Sequence, residues 1–212
     1  DKWLLAIKNS FLIGIFATLI ATVLGTCAAV GLARDDMPMR RLITALLLSP
    51  MIVPLIITAA GMFFFYSDLG LAGNYLGVII AHAALGTPFV IITVTATLTG
   101  FDYSLARAAL NLGATPLRVF FDIIMPLIRP GVISGALFAF ITSFDEVVVI
   151  LFMAGPQQRT IPRQMFSGLR EQINPSILAI ATLLILVSIA LLVTLELLRR
   201  RSERLRGAER IE

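Results

Sequence analysis

Cysteine and histidine are almost absent from this chain, with one of each, Cys27 and His82, in 212 residues. A lone cysteine excludes an internal disulfide, and one histidine with one cysteine falls short of the ligand count of a zinc site. The signatures of intramembrane proteolysis are missing as well: the sequence has no GxSG serine with a later histidine, no GxGD and no HExxH. A phosphate-binding loop is also absent, so any ATP chemistry belongs to another polypeptide. Charge is scarce, at 14% of residues. In its place stand long apolar runs.

Hydrophobic residues make up 58% of the chain and the mean hydropathy is +0.94, which excludes an ordinary soluble domain. Five runs reach the roughly 20 residues that a helix needs to cross a bilayer: Ser10 to Ala33, Leu42 to Tyr66, Tyr75 to Leu98, Gly131 to Met153 and Ser176 to Leu198. Open strands leave backbone groups unsatisfied in lipid, so these runs predict an all-α polytopic bundle, one domain over residues 1–212. Pro50 and Pro54, then Gly86 and Pro88, are expected to kink the second and third spans. Gly131 and Gly135 offer a close helix contact. Between the last two spans, Thr160 to Gln172 is expected to form an interfacial or partly re-entrant helix.

Between the third and fourth spans lies a polar insert, 102–126. Asp102 reads as an N-cap, Tyr103 to Leu112 as a helix, and Gly113 as its left-handed closing residue. Thr115 followed by Pro116 starts a second helix, expected to run toward Met125 and stop at Pro126. With this insert inside the cell, Arg34, Arg40, Arg41, Arg107, Arg118, Arg129 and the six arginines of the basic tail 199–212 face the cytoplasm, 12 of the 17 basic residues. That bias predicts an external N-terminus and a cytoplasmic C-terminus. It also explains the basic tail without nucleic acid.

The insert carries a recognisable pattern: Arg107, Ala108, Ala109, three residues, Gly113, nine residues, Ile123, one residue, Met125, Pro126. It resembles the EAA loop of ABC importer permeases, with arginine where the family has glutamate and methionine where it has leucine. The resemblance implies that Arg107, Ala108, Ala109, Gly113, Thr115, Pro116, Ile123 and Pro126 belong to coupling helices that dock into a cytoplasmic ATPase. It further implies two ATPase copies holding ATP and magnesium, a second permease subunit, an external solute-binding protein, and residence in a bacterial inner membrane among its lipids. This chain itself would bind no cofactor and would be no enzyme. Permeases of this type commonly have six spans, so a first span is expected upstream of Asp1.

The fourth span holds two adjacent acids, Asp145 and Glu146, preceded by Ser143 and Phe144. A charge at the centre of a membrane helix costs roughly 2.5 to 3.5 kcal/mol, so neither acid faces lipid unpaired. One reading satisfies them by Ser143, by backbone at a helix break, or across a subunit interface. The other has a carboxylate draw a cationic substrate along a path lined by 143–146. Successive helical positions diverge by about 100°, so one acid can face a path while the other braces the bundle. The stretch SFDEVVV with the following GP and INPSILAIATLL is similar to permeases for spermidine and putrescine, a branch that also includes carriers of opines, aminobutyrate, aminoethylphosphonate and ferric iron. A secondary transporter would use the acids but not the insert. His82 reads as a hydrogen-bonded packing residue.

Overall fold

A computed structural model describes residues 2–34, 36–171, 178–179, 181–190, 193–194 and 197. Among these the chain is helical throughout, without strands. Helix α1 spans Lys2–Leu32, α2 Arg40–Ile52, α3 Leu55–Asp68, α4 Tyr75–Leu98, α5 Tyr103–Asn111 and α6 Pro116–Val119. A π-helical turn, Phe120–Ile124, joins α6 to α7, Met125–Asp145, and then follow α8, Val148–Met153, and α9, Ile161–Glu171. A further apolar helix, α10, covers Ala181–Ala190. Part of the expected fifth span, Ser176 to Leu198, and the whole basic tail lie outside the described residues.

Helices α1, α4 and α7 pack on one another as a triad. Its centre is α4: 61% of its most apolar stretch is buried, against 33% for α1 and 22% for the run Pro116–Asp145. Small residues set the spacing. A Cβ on Gly25 of α1 would stand 2.6 Å from Val90 Cβ, and one on Gly131 of α7 would stand 2.7 Å from the Thr93 carbonyl oxygen. Ala17, Ala21, Ala83 and Ala139 continue the seam, so the backbones approach closely, as membrane helices do where bulky side chains are absent.

Three described helical runs are long and apolar enough to cross a membrane, Lys2–Leu32, Tyr75–Leu98 and Pro116–Asp145. The expected span Leu42 to Tyr66 is instead two helices, α2 and α3, bent by 105°. Pro54 accounts for the break: it has no N–H, and its ring drives Val53 out of the helical region to ψ 137°. Pro50 stays inside α2, and Pro88 inside an uninterrupted α4, so the kink expected in the third span is not a break.

The end of the bundle opposite the 102–126 insert is tied by a polar knot. Asn9 Nδ2 donates to the carbonyls of Gln157 and Arg159 at 2.8 and 2.9 Å. The Tyr75 hydroxyl donates to Asn9 Oδ1 at 2.9 Å, and Ser10 Oγ accepts the Ile161 N–H at 2.9 Å. The segment 154–161 is thereby held across α1 and α4, and it places α9 close to the helix expected over Thr160 to Gln172.

Candidate functional site

Two features stand at opposite ends of α7. At one end is the knob formed by α5 and α6. Asp102 Oδ1 accepts the Ser104 N–H at 2.8 Å and caps α5, a bond that holds its carboxyl below the usual carboxylate range. The helix closes with paired bonds from Gly113 N–H to Leu110 O and from Ala114 N–H to Ala109 O, both 3.0 Å. Gly113 sits at φ +88°, the left-handed residue this closure requires. Thr115 Oγ1 faces the Arg118 N–H at 3.4 Å, and Pro116 opens α6.

The knob presents apolar side chains outward. Leu112 is 88% exposed, Leu117 73% and Phe121 61%. Arg107 and Ala108 are exposed and Ala109 and Ile123 partly so. A shallow cavity of about 220 Å³ lies between α5 and the following helix, lined by Ala109, Leu112, Ala114, Arg118, Val119, Asp122 and Ile123. The pattern residues Ala109 and Ile123, distant in sequence, therefore meet there. One expectation is corrected: Pro126 does not stop the helix. The π turn bonds Met125 N–H to Phe120 O, so the ladder is already widened where proline lacks a donor, and the helix continues to Asp145.

At the other end α7 terminates. The fourth span is not the continuous helix Gly131 to Met153: the backbone leaves the helical region at Glu146, ψ 129°, and resumes as α8. A run of three β-branched valines, 147–149, weakens the helix there, and the Glu146 side chain supplies the break with a cap. Its Oε1 accepts Val148 N–H at 2.8 Å and its Oε2 accepts Val149 N–H at 2.8 Å and Ile150 N–H at 3.3 Å. Hydrogen bonds to a charged acceptor are each worth about 1.5–3 kcal/mol, which offsets part of the cost of burying the acid. Glu146 Oε2 also lies 3.8 Å from His82 Nε2 of α4, with both side chains 4% exposed or less, and His82 Nδ1 is 2.8 Å from Ser143 Oγ. At the far end of α8, Arg163 Nη1 donates to the Ala154 carbonyl at 2.6 Å. The short helix thus has carboxyl oxygens on its first N–H groups and a guanidinium on its last carbonyl, the order that its dipole favours.

Asp145 behaves differently. It is the last residue of α7, exposed, on the wall of a groove of about 540 Å³ between the α2–α3 bend, α4 and the end of α7. Pro50, Met51, Val53, Leu85 and Phe89 make most of the lining apolar. Glu146 borders the same groove, but its oxygens are turned onto α8. Ser143 and Phe144 are buried: Ser143 faces His82, and Phe144 packs edge-on to Phe11 at 5.2 Å between ring centres. Of the four residues 143–146, one side chain stands open to the groove. The Arg163 and Asn9 anchors went unread in the sequence. Apart from the Tyr75 hydroxyl on Asn9, their partners are carbonyl oxygens, which leave no residue-type signature.

The chain matches the family described as binding-protein-dependent transport system inner membrane component over residues 21–205. It is 31% identical over 202 residues to the spermidine/putrescine transport system permease protein PotC of Haemophilus influenzae, covering 95% of this chain and 79% of that protein. It is 36% identical over 196 residues to the putrescine transport system permease protein PotI of Escherichia coli, covering 87% and 68%. Among solved structures, an inward-facing MetNI methionine ABC transporter superposes with a TM-score of 0.71 at 16% identity, covering 97% of this chain and 95% of that one.

Proposed function

This chain belongs to the family of binding-protein-dependent transport system inner membrane components, and from that premise we propose that it forms one half of the translocation path of an ATP-driven polyamine importer. The observation that carries the cargo assignment is Asp145, the open carboxylate on an otherwise largely apolar groove wall. An ammonium about 4 Å from it gains about 4 kcal/mol at an effective dielectric near 20, enough to offset one desolvated charge without trapping the cargo. The apolar remainder of the wall suits the methylene segments of an alkyl polyamine. The PotC and PotI relatives support the same class.

The knob of α5 and α6 is the surface for a separate ATPase, present in two copies. Its exposed Leu112, Leu117 and Phe121 form an apolar patch of the kind that marks a protein-contact surface. Arg107 replaces an acid there, so the contact it makes to the ATPase is not the family's usual one. The knob end lies in the cytoplasm, in keeping with the arginine bias. The Asn9-tied end faces the solute-binding protein, and a second permease subunit completes the path.

Uptake of labelled spermidine and putrescine into vesicles holding the complete transporter, with and without internal ATP, tests this reading. ATP-dependent polyamine uptake is expected. ATP-dependent uptake of an opine, aminobutyrate, aminoethylphosphonate or ferric iron in its place would sink the cargo assignment alone. Uptake indifferent to ATP would sink the importer.

A further inference from the structure

Taking Asp145 as the cargo-facing acid of the proposed path, we propose that its neighbour Glu146 is a positioning residue that never meets the cargo. Its carboxylate caps α8 and rests against His82 of α4, and so holds the helix break that turns Asp145 into the groove.

Three elements converge on this acid. The end of α7 contributes Ser143, α4 contributes His82, and the start of α8 contributes the N–H groups of Val148, Val149 and Ile150. His82 is fixed from its other side by Ser143 at 2.8 Å, and its Nε2, 3.8 Å from Glu146 and beyond hydrogen-bond reach, packs the break against the most buried helix of the bundle. Remove the cap and three donors, two of them buried, lose their acceptor, the first turn of α8 unwinds, and Asp145, the residue immediately before, loses its fixed direction.

The reach of the side chain makes the idea testable. Glu146 precedes the N-cap residue Val147, so an acid here must extend one residue further than an ordinary cap. Glutamine keeps that reach and one acceptor oxygen while losing the charge. Aspartate keeps the charge and is one methylene too short. A capping role and a cargo-binding role therefore rank the two substitutions in opposite order.

The experiment is ATP-driven uptake of labelled spermidine by the complete transporter in vesicles. Glu146→Gln is expected to keep uptake within about threefold of the unchanged protein, while Glu146→Asp falls about tenfold or more. Aspartate performing as well as or better than glutamine would overturn the proposal. Asp145→Asn is run alongside: unchanged uptake there would sink the path reading itself, a different result from a reversed order at 146. Thiol labelling covers a variant that fails to assemble. In a Cys27→Ser background, Asp145→Cys with Glu146 intact is expected to react with a cationic thiol reagent about tenfold faster than the same cysteine beside Glu146→Asp, and at about the same rate beside Glu146→Gln. Equal rates with aspartate and glutamine at 146 would overturn it.

Discussion

Gly113 shows how much one residue carries. At φ +88° a β-branched side chain in this left-handed position costs about 1–2 kcal/mol, which is enough to open the pair of bonds closing α5. Gly113→Val is expected to leave ATP hydrolysis by the partner running while uptake drops severalfold, measured as the ratio of cargo moved to ATP consumed. Normal coupled uptake would remove the knob from the coupling path. Arg107→Glu, on the exposed face of the same helix, is expected to preserve ATPase retention during purification. At this scale the sequence was informative wherever the chemistry is local. Asp102, Gly113, Thr115 and Pro116 act on groups within a few residues of themselves, and capping rules reach that far. Glu146 was legible only as a choice between two readings, because its partners include His82 on another helix.

Helices and breaks follow a similar division. Pro54 splits α2 from α3, while Pro88 sits within an unbroken α4 and Pro126 within the run from Pro116 to Asp145. Composition alone does not separate these prolines. What differs is how the backbone is accommodated: before Pro54 Val53 turns to ψ 137°, before Pro126 the π turn has already widened the ladder, and around Pro88 α4 is gripped by α1 and α7 along its length. Close packing of this kind makes Gly131 a sensitive point, since an added Cβ meets Thr93 and Thr97 of α4. Gly131→Leu is expected to destabilise the bundle by about 1–3 kcal/mol, read as a lower melting temperature in detergent. Gly61, with open space around it, serves as the control, and Gly61→Ala is expected to melt like the unchanged protein.

For the molecule as a whole, hydropathy predicted the class and, as single helices, the spans Ser10 to Ala33 and Tyr75 to Leu98, because lipid permits few alternatives to a helix. It did not predict where spans bend or end, since that depends on which backbone groups find partners after folding. Membrane embedding has its own test in Cys27, the sole cysteine, exposed on the flank of α1. A membrane-permeant maleimide is expected to label it, and a charged, impermeant one is expected to label it at least about tenfold more slowly from either side, because the charged reagent is excluded from hydrocarbon. Equal labelling by both would place that flank of α1 against water.

The unbroken run from Pro116 to Asp145, 30 residues, is about 45 Å of helix. It starts in the knob and finishes at Asp145. No loop lies between the two, and its soft places are the π turn and Pro130, which lacks an N–H for the helical ladder. If the knob takes the ATPase stroke and Asp145 meets the cargo, as proposed, a push at Leu117 is expected to reach Asp145 as through a connecting rod, with ATP binding and the movement of the carboxylate in phase.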